Sequence, residues 1–413
     1  MKYIVALVSF ALLGCAAILA QTRGGNVSNI SNKIDTQQKA VAAATSIAPS
    51  EVSAAVEKGA KWLASVQGAD GGWGQDGGST SNIRQTENLE SKGNDVANTA
   101  VAALALLQAG NQYRPNVERA IEFILKKVEA SPTNGLAITD VNNTQIQRKL
   151  GPYIDTFLAS MLLTRVDGAL AGANKARVRS GLEKCVAKIE RNQLSDGSWN
   201  IAGGWAPVLG TSMASRSLYE ASQKGVKVDQ TVLAQAENYT VNSQKDQVVA
   251  TGRGGVVSES AVRELPINGR GVKSMARMET SDASLPAAAA SLPAAAGVDL
   301  YQSAQALEQL SRTAESRAKN RDQIVAISAK LSDAKFVEGF GSMGGEEFFS
   351  YLNISDSLKR TGGKEWNDWN SKITQKLLKL QNSDGTWAGH HCITGRVAVT
   401  SAAILNLTRD REN

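Results

Sequence analysis

Few residues in this 413-residue chain could do chemistry, and most stand near predicted helix starts. Its two histidines are adjacent, His390-His391, and Cys392 follows them. Imidazole and thiolate ligate metals, and a thiolate beside a helix N-terminus has a lowered pKa and attacks electrophiles. Three consecutive residues rarely all face one ion, so a four-ligand zinc site here needs partners from elsewhere. The plainer alternative has one histidine capping the next helix and the other packing on Trp387. Arg396 could hold an anionic ligand or pair with an inner carboxylate. Glu346-Glu347 open a helix after Gly344-Gly345, where the helix dipole favours carboxylates with or without catalysis. Asp155 and Asp356 fall within or beside apolar helices, where an unpaired charge is costly. Each is either paired structurally or kept for acid–base work. Cys185, between Leu182 and Ile189, reads as a core residue.

The elements that must position these groups are helices. Apolar residues recur at three- and four-residue spacing from Glu51 onward, beginning with Val52, Val56, Ala60, Leu63 and Val66. Twelve helices group into six pairs. The first helix of each pair is heavily charged, as in Lys184, Lys188, Glu190 and Arg191. The second is small and apolar, as in Val96–Leu107 and Val397–Leu407. An amphipathic helix faces water and one that is apolar nearly all round is buried. The pattern therefore predicts an all-α fold, an (α/α)6 toroid with six buried helices inside six solvated ones. Its inner helices all start at one mouth, where six positive dipole ends converge. Asp95, a predicted N-cap, Asp155, Asp299, Glu346 and the His-His-Cys segment should share that face.

One turn recurs. Gln67 to Trp73, Gln193 to Trp199 and Gln381 to Trp387 each place Asp-Gly between a glutamine and a tryptophan. They lie 126 and 188 residues apart, two and three units of about 63 residues, which is repeat spacing. Glycine there reaches positive φ without steric cost.

Composition narrows the partners. Forty-five basic and 39 acidic residues give a net charge of +6 with no basic run, which argues against nucleic acid. Residues 1–20, with Lys2 ahead of an apolar run, read as an export signal. Leu12-Leu13-Gly14-Cys15 is close to a lipoprotein signal, and ordinary cleavage near Ala17 or Ala20 or an uncleaved anchor are the alternatives. All three expect export to the periplasm or membrane surface. Residues 21–50 read as a flexible tether, 51–409 as the toroid, and 244–296 as a low-complexity excursion. Only Cys185 and Cys392 would remain in the mature domain, too few for a disulfide framework.

Lys58-Gly59-Ala60-Lys61-Trp62-Leu63 with Gln67, Gly71 and Trp73 resembles the QW repeat of terpene cyclases. The chain is similar to the toroids of squalene cyclases and protein prenyltransferase β subunits, and most resembles bacterial prenyltransferase/squalene oxidase repeat proteins. The resemblance implies an acidic motif, Asp-x-Asp-Asp-Thr-Ala, that protonates an alkene at an inner-helix start. Here Asp95-Val96-Ala97-Asn98-Thr99-Ala100 stands in that frame, with Ala97 in place of the donor. Cation-holding aromatics are sparse as well. The prenyltransferase zinc set is also incomplete: Asp299 matches, but Tyr301 stands for the cysteine and the histidine position falls near Gly395 or Arg396. No cofactor is expected, with zinc as the exception to test. Two readings follow. One is a non-cyclising toroid that binds an apolar or amphiphilic molecule or a protein partner at its mouth, through His390, His391, Arg396 and Asp95. The other is a transferase or lyase acting on an isoprenoid, glycan or peptide. Its catalytic candidates are His391, Glu346, Glu347, Asp155 and Cys392.

Overall fold

The structure, a computed structural model, describes residues 47–75, 93–169, 173–199, 201, 207–240, 295–338, 344–390 and 392–411. The expected export signal, nearly all of the tether and excursion, and His391 lie outside the described residues. Among the described residues, no helix is long and apolar enough to cross a membrane.

Six inner helices form a closed ring: α2 (Val96–Ala109), α5 (Ile154–Val166), α7 (Pro207–Gln223), α9 (Ala295–Leu310), α13 (Gly345–Thr361) and α15 (Arg396–Leu407). Each packs on the next, and α15 returns to α2. Outside them lie α1 (Pro49–Ser65), α3 (Arg114–Ala130), α6 (Ala173–Arg191), α8 (230–240), α11 (Arg321–Lys330) and α14 (Gly363–Leu380). The segregation follows side-chain size. Every residue of α2 from Val96 to Leu106 is buried, five of them alanines, so its neighbours approach closely. In α14 only one stripe is buried, Trp366, Trp369, Ile373, Thr374 and Leu377, and the charged remainder faces water.

The three Gln–Trp turns are built alike, and each ties one pair to the next outer helix. Gln67 Nε2 donates to Gly71 O at 2.8 Å and to Asn116 O of α3 at 2.9 Å. Gln193 Nε2 does the same to Gly197 O at 3.0 Å and Val232 O of α8 at 2.9 Å. Gln381 Nε2 reaches Gly385 O and, at 2.9 Å, Ala55 O of α1. The third turn thus joins the end of the chain to its beginning and closes the circle. Each indole donates back to its own outer helix at 2.8 Å: Trp73 to Leu63 O, Trp199 to Ile189 O and Trp387 to Leu377 O. Each backbone N–H of these tryptophans donates to a threonine hydroxyl on the following inner helix, Thr99, Thr211 or Thr400. Gly71, Gly197 and Gly385 sit at φ of 90°, 90° and 89°. A Cβ at Gly197 would come within 2.3 Å of Gln235 O on α8, so any side chain here would both strain the turn and push the next helix away.

Candidate functional site

The mouth where the inner helices start is lined by acids and covered by the chain itself. Between α3 and α5 the backbone folds inward as α4 (Gln145–Leu150), whose Gln145, Ile146, Gln147 and Leu150 are buried. Thr144 and Gln147 form its capping box. Gln147 Nε2 donates to Asp155 Oδ2 on α5 at 2.6 Å. Gln145 spans to the start of α15: its Oε1 accepts from Thr394 N and Gly395 N at 2.9 and 3.1 Å, and its Nε2 donates to Thr394 Oγ1. Leu150 O lies against Gly210 of α7, where a Cβ would sit 2.3 Å away. One short helix thus bridges three inner-helix starts.

Beneath it lie Asp95 and Asp155. Asp95 caps α2, accepting from Asn98 N and Asn98 Nδ2, both at 2.8 Å, and Asp155 Oδ1 accepts from Ala97 N at 3.1 Å. Burial, then the Asp155 charge, pushes Asp95 up to about 7, and burial pushes Asp155 up to about 6. The two buried carboxylates lie close enough for the Asp155 charge to raise Asp95, and both hold protons to near neutrality. Ala97, in the frame of the cyclase acid, presents a buried methyl group there.

The second acid group surrounds the start of α13. Glu346 and Glu347 are fully buried. Glu347 accepts from Gly344 N at 2.9 Å and from Tyr301 Oη at 3.1 Å, while Glu346 Oε2 accepts from Ile393 N at 3.2 Å. Burial and the Glu346 carboxylate push Glu347 up to about 8. Cys392 adopts φ 57° and turns its thiol to Glu346.

Several expectations change here. Burial and then the Glu346 charge raise the Cys392 thiol well above its usual range, so it is not the activated thiolate that a helix N-terminus alone predicts. At the start of α15, Val397 N donates to Gln75 O at 3.0 Å. His390 is exposed. Arg396 pairs with Asp384 at 3.3 Å and lies over the Trp62 ring at 5.0 Å, toward the outer ring. Asp299 sits one turn inside α9, where burial raises its pKa and Lys330 at the end of α11 lowers it. Asp95 is 2 % exposed, with both carboxylate oxygens bonded within its own helix start. Among the described residues no three His, Cys, Asp or Glu side chains converge as a metal would require. Cys185 is a core residue, and burial pushes its thiol up to about 12.

The opposite mouth was not anticipated. Arg216, 3 % exposed, pairs with Glu220 at 2.7 Å and with Asp356, whose other oxygen holds Arg409 Nε at 2.6 Å. Burial opposes the Arg216 charge, but Asp356 and Glu220 outweigh it and keep the guanidinium ionised. Arg312 pairs with Glu308 at 2.7 Å and donates to Ser215 Oγ at 2.7 Å. The available signal was ion-pair spacing, Arg216/Glu220 and Glu308/Arg312, on helices otherwise too apolar to face water. Between the mouths, Val101, Leu104, Leu158, Met161, Phe349 and Leu405 fill the bore. A cavity among these residues measures about 20 Å³, room for about one or two waters.

Comparison with known proteins agrees with this fold. The squalene-hopene cyclase C-terminal domain matches residues 30–137. The squalene–hopene cyclase of Bradyrhizobium diazoefficiens is 39% identical over 70 residues, which cover 17% of this chain and 10% of that protein. The match thus spans about a tenth of the relative's length. No solved structure matches. The similarity supports a terpene cyclase-like domain. In this cyclase-like domain the matched stretch contains α1, the first Gln–Trp turn, α2 and the Asp95 frame. It ends before α4, so the helix that covers the acid mouth lies outside it.

Raised carboxylates give the cyclase-like domain a measurable pH response. A group whose folded pKa lies above its unfolded value binds more protons in the folded state, so its ionisation lowers stability as pH rises between the two values. For Asp95 and Asp155 that window runs from about 4 to about 7. Urea unfolding at stepped pH should show Asp95→Asn losing less stability than the parent across this window. Each unit of removed shift is worth about 1.4 kcal/mol. Parallel curves would show that burial does not raise the Asp95 pKa in the folded protein.

Proposed function

We propose that this protein is an exported, cyclase-like toroid that works by binding and not by cyclising a polyene. Its occupant is a protein partner or the polar end of an amphiphile, held at the exterior of a mouth. The filled bore carries this reading. Sites for molecules of drug size or larger run to roughly 300–1,000 Å³, and the bore offers about 20 Å³. The missing donor at Ala97 and the covered acids support it independently. Of the four proposed binding residues, Asp95 and Arg396 are engaged within the chain, His390 faces solvent and His391 belongs to the same short segment.

Purified protein incubated with squalene should yield no cyclic product above a heat-killed control. Ala97→Asp alone should not create activity, since neither the bore volume nor its aromatic lining changes. Enzyme-like formation of a cyclised triterpene would refute the reading. A transferase or lyase would need Glu346 or Glu347 open to substrate, and both are fully buried, with Ile393 N donating to Glu346.

A further inference from the structure

The cover over the start of α13 is lightly fastened. Ile393 holds it down: its N–H donates to Glu346 Oε2 at 3.2 Å, and its carbonyl accepts from Gly345 N at 2.9 Å. The two amides that follow, Thr394 N and Gly395 N, share one acceptor, Gln145 Oε1. Glycines allow the close approach. A Cβ at Gly345 would come within 2.6 Å of Ile393 Cβ, and one at Gly389 within 2.0 Å of Ile393 O. Cys392, at the head of the cover, sits at φ 57°, a left-handed conformation that costs energy in any residue but glycine. A short segment with few hydrogen bonds and one strained residue opens more readily than the helices around it.

What lies beneath resists a second negative charge. Glu346 and Glu347 are consecutive and fully buried, and Glu346 Oε1 has no hydrogen-bond donor among the described residues. Tyr301 of α9 faces the pair, its hydroxyl donating to Glu347 at 3.1 Å, with Tyr351 of α13, Glu338 and the Cys392 thiol also in range. The nearby cations stand further off. Lys376 of α14 divides its attraction between Glu338 and Glu347 and is itself disfavoured by burial, and Lys149 of α4 acts on Cys392. Two like charges side by side in a buried site are costly, and water is the ready remedy.

We infer that Glu346 and Glu347 form a proton-operated latch on the acid mouth: while the pair keeps a proton, residues 392–395 stay seated on α13, and its loss releases them and admits water. Release remodels the surface beside His390, so the latch would regulate whatever binds there, but it stands whether or not a partner does.

The direction follows from linkage. In the closed form, burial and the Glu346 charge hold the Glu347 proton to about 8, against an ordinary value of 4.5 once water reaches it. The closed form therefore binds more protons and is favoured at low pH. Between those two values each opening gives up one proton, so the open fraction should grow about tenfold per pH unit and level off above about 8.

Hydrogen exchange on the full chain tests this from about pH 5 to about pH 9, under conditions where closing outruns exchange, with each amide's rate divided by that of the unstructured peptide. Protection of the Ile393, Thr394 and Gly395 amides should fall about tenfold per unit and then level. Glu347→Gln keeps an acceptor for Gly344 N and Tyr301 but has no proton to lose, so its protection should stay constant. Tyr301→Phe removes a donor that favours the charged carboxylate, so levelling should move to higher pH. That variant decides the matter if Glu347→Gln fails to fold. Constant protection in the parent, an undiminished slope in Glu347→Gln, or levelling unmoved in Tyr301→Phe would overturn the latch. Protection at Ile393 equal at every pH to that of Leu182 in the core of α6 would show global unfolding in its place, and would overturn it too.

Discussion

Asp356→Ala should destabilise the protein by about 3–5 kcal/mol, because it removes the carboxylate that two buried cations share. Asp356 stands between Arg216 and Arg409, which come from α7 and the residues just after α15, and all three are at most 6 % exposed. Without it Arg216 keeps Glu220, but Arg409 loses the carboxylate at 2.6 Å. The cost comes from leaving charge unpaired and not from the gross strength of the pair. Replacing Asp356 and Arg409 together by apolar residues should therefore recover much of the loss. Urea denaturation of the single and double variants gives both numbers. A single-variant cost below about 1 kcal/mol, as for an exposed pair, would show that this mouth is wetter than the structure has it.

Trp387→Ala should cost a similar amount, about 3–5 kcal/mol for a large aromatic removed from a packed core. Its ring is fully buried against Gly59 of α1 and Ile404 of α15, and its indole N–H would leave Leu377 O without its donor. This residue sits where the sixth pair meets the first, so its loss opens the ring at the seam. Gln381→Ala removes only the staple to Ala55 and Gly385 and should cost about 1 kcal/mol per hydrogen bond. If Trp387→Ala proves no worse than Gln381→Ala, ring closure rests on the turn's backbone and not on the indole.

The ring was legible in the sequence because two local signals agreed. Helices dense in alanine can only be buried, and the Gln, Asp-Gly and Trp spacing repeats a turn whose glycine needs positive φ. The mouth was legible only in part. Asp95, Asp155 and Glu346 could be placed at one end because helix direction alternates, and that needs no side-chain detail. What faces them did not follow. α4 is six residues long and stabilised by amide bonds to residues as distant as Thr394, so no periodicity marks it. The Cys392 thiol is set first by burial and then by a carboxylate 46 positions away, and neither shows in the local sequence. Arg396 lies over Trp62 of the first outer helix and pairs with Asp384 of the last turn, contacts between distant parts of the chain that no local spacing marks. The arginine network was hidden for a related reason. Its pairs join three inner helices, and only their intrahelical members, Arg216/Glu220 and Glu308/Arg312, show as spacing.

Whether hydrocarbon can enter the bore decides between binding scaffold and cyclase more directly than any assay of products. Met161 and Met213 both border the central cavity, and their methyl groups are natural reporters. Methyl NMR of the full chain, with the two signals assigned by Met→Leu substitution, should show no change as squalene is added in detergent, because the cavity they border measures only about 20 Å³. Saturating shifts of both methyls near one equivalent of squalene would contradict the filled bore and return the protein to the cyclases.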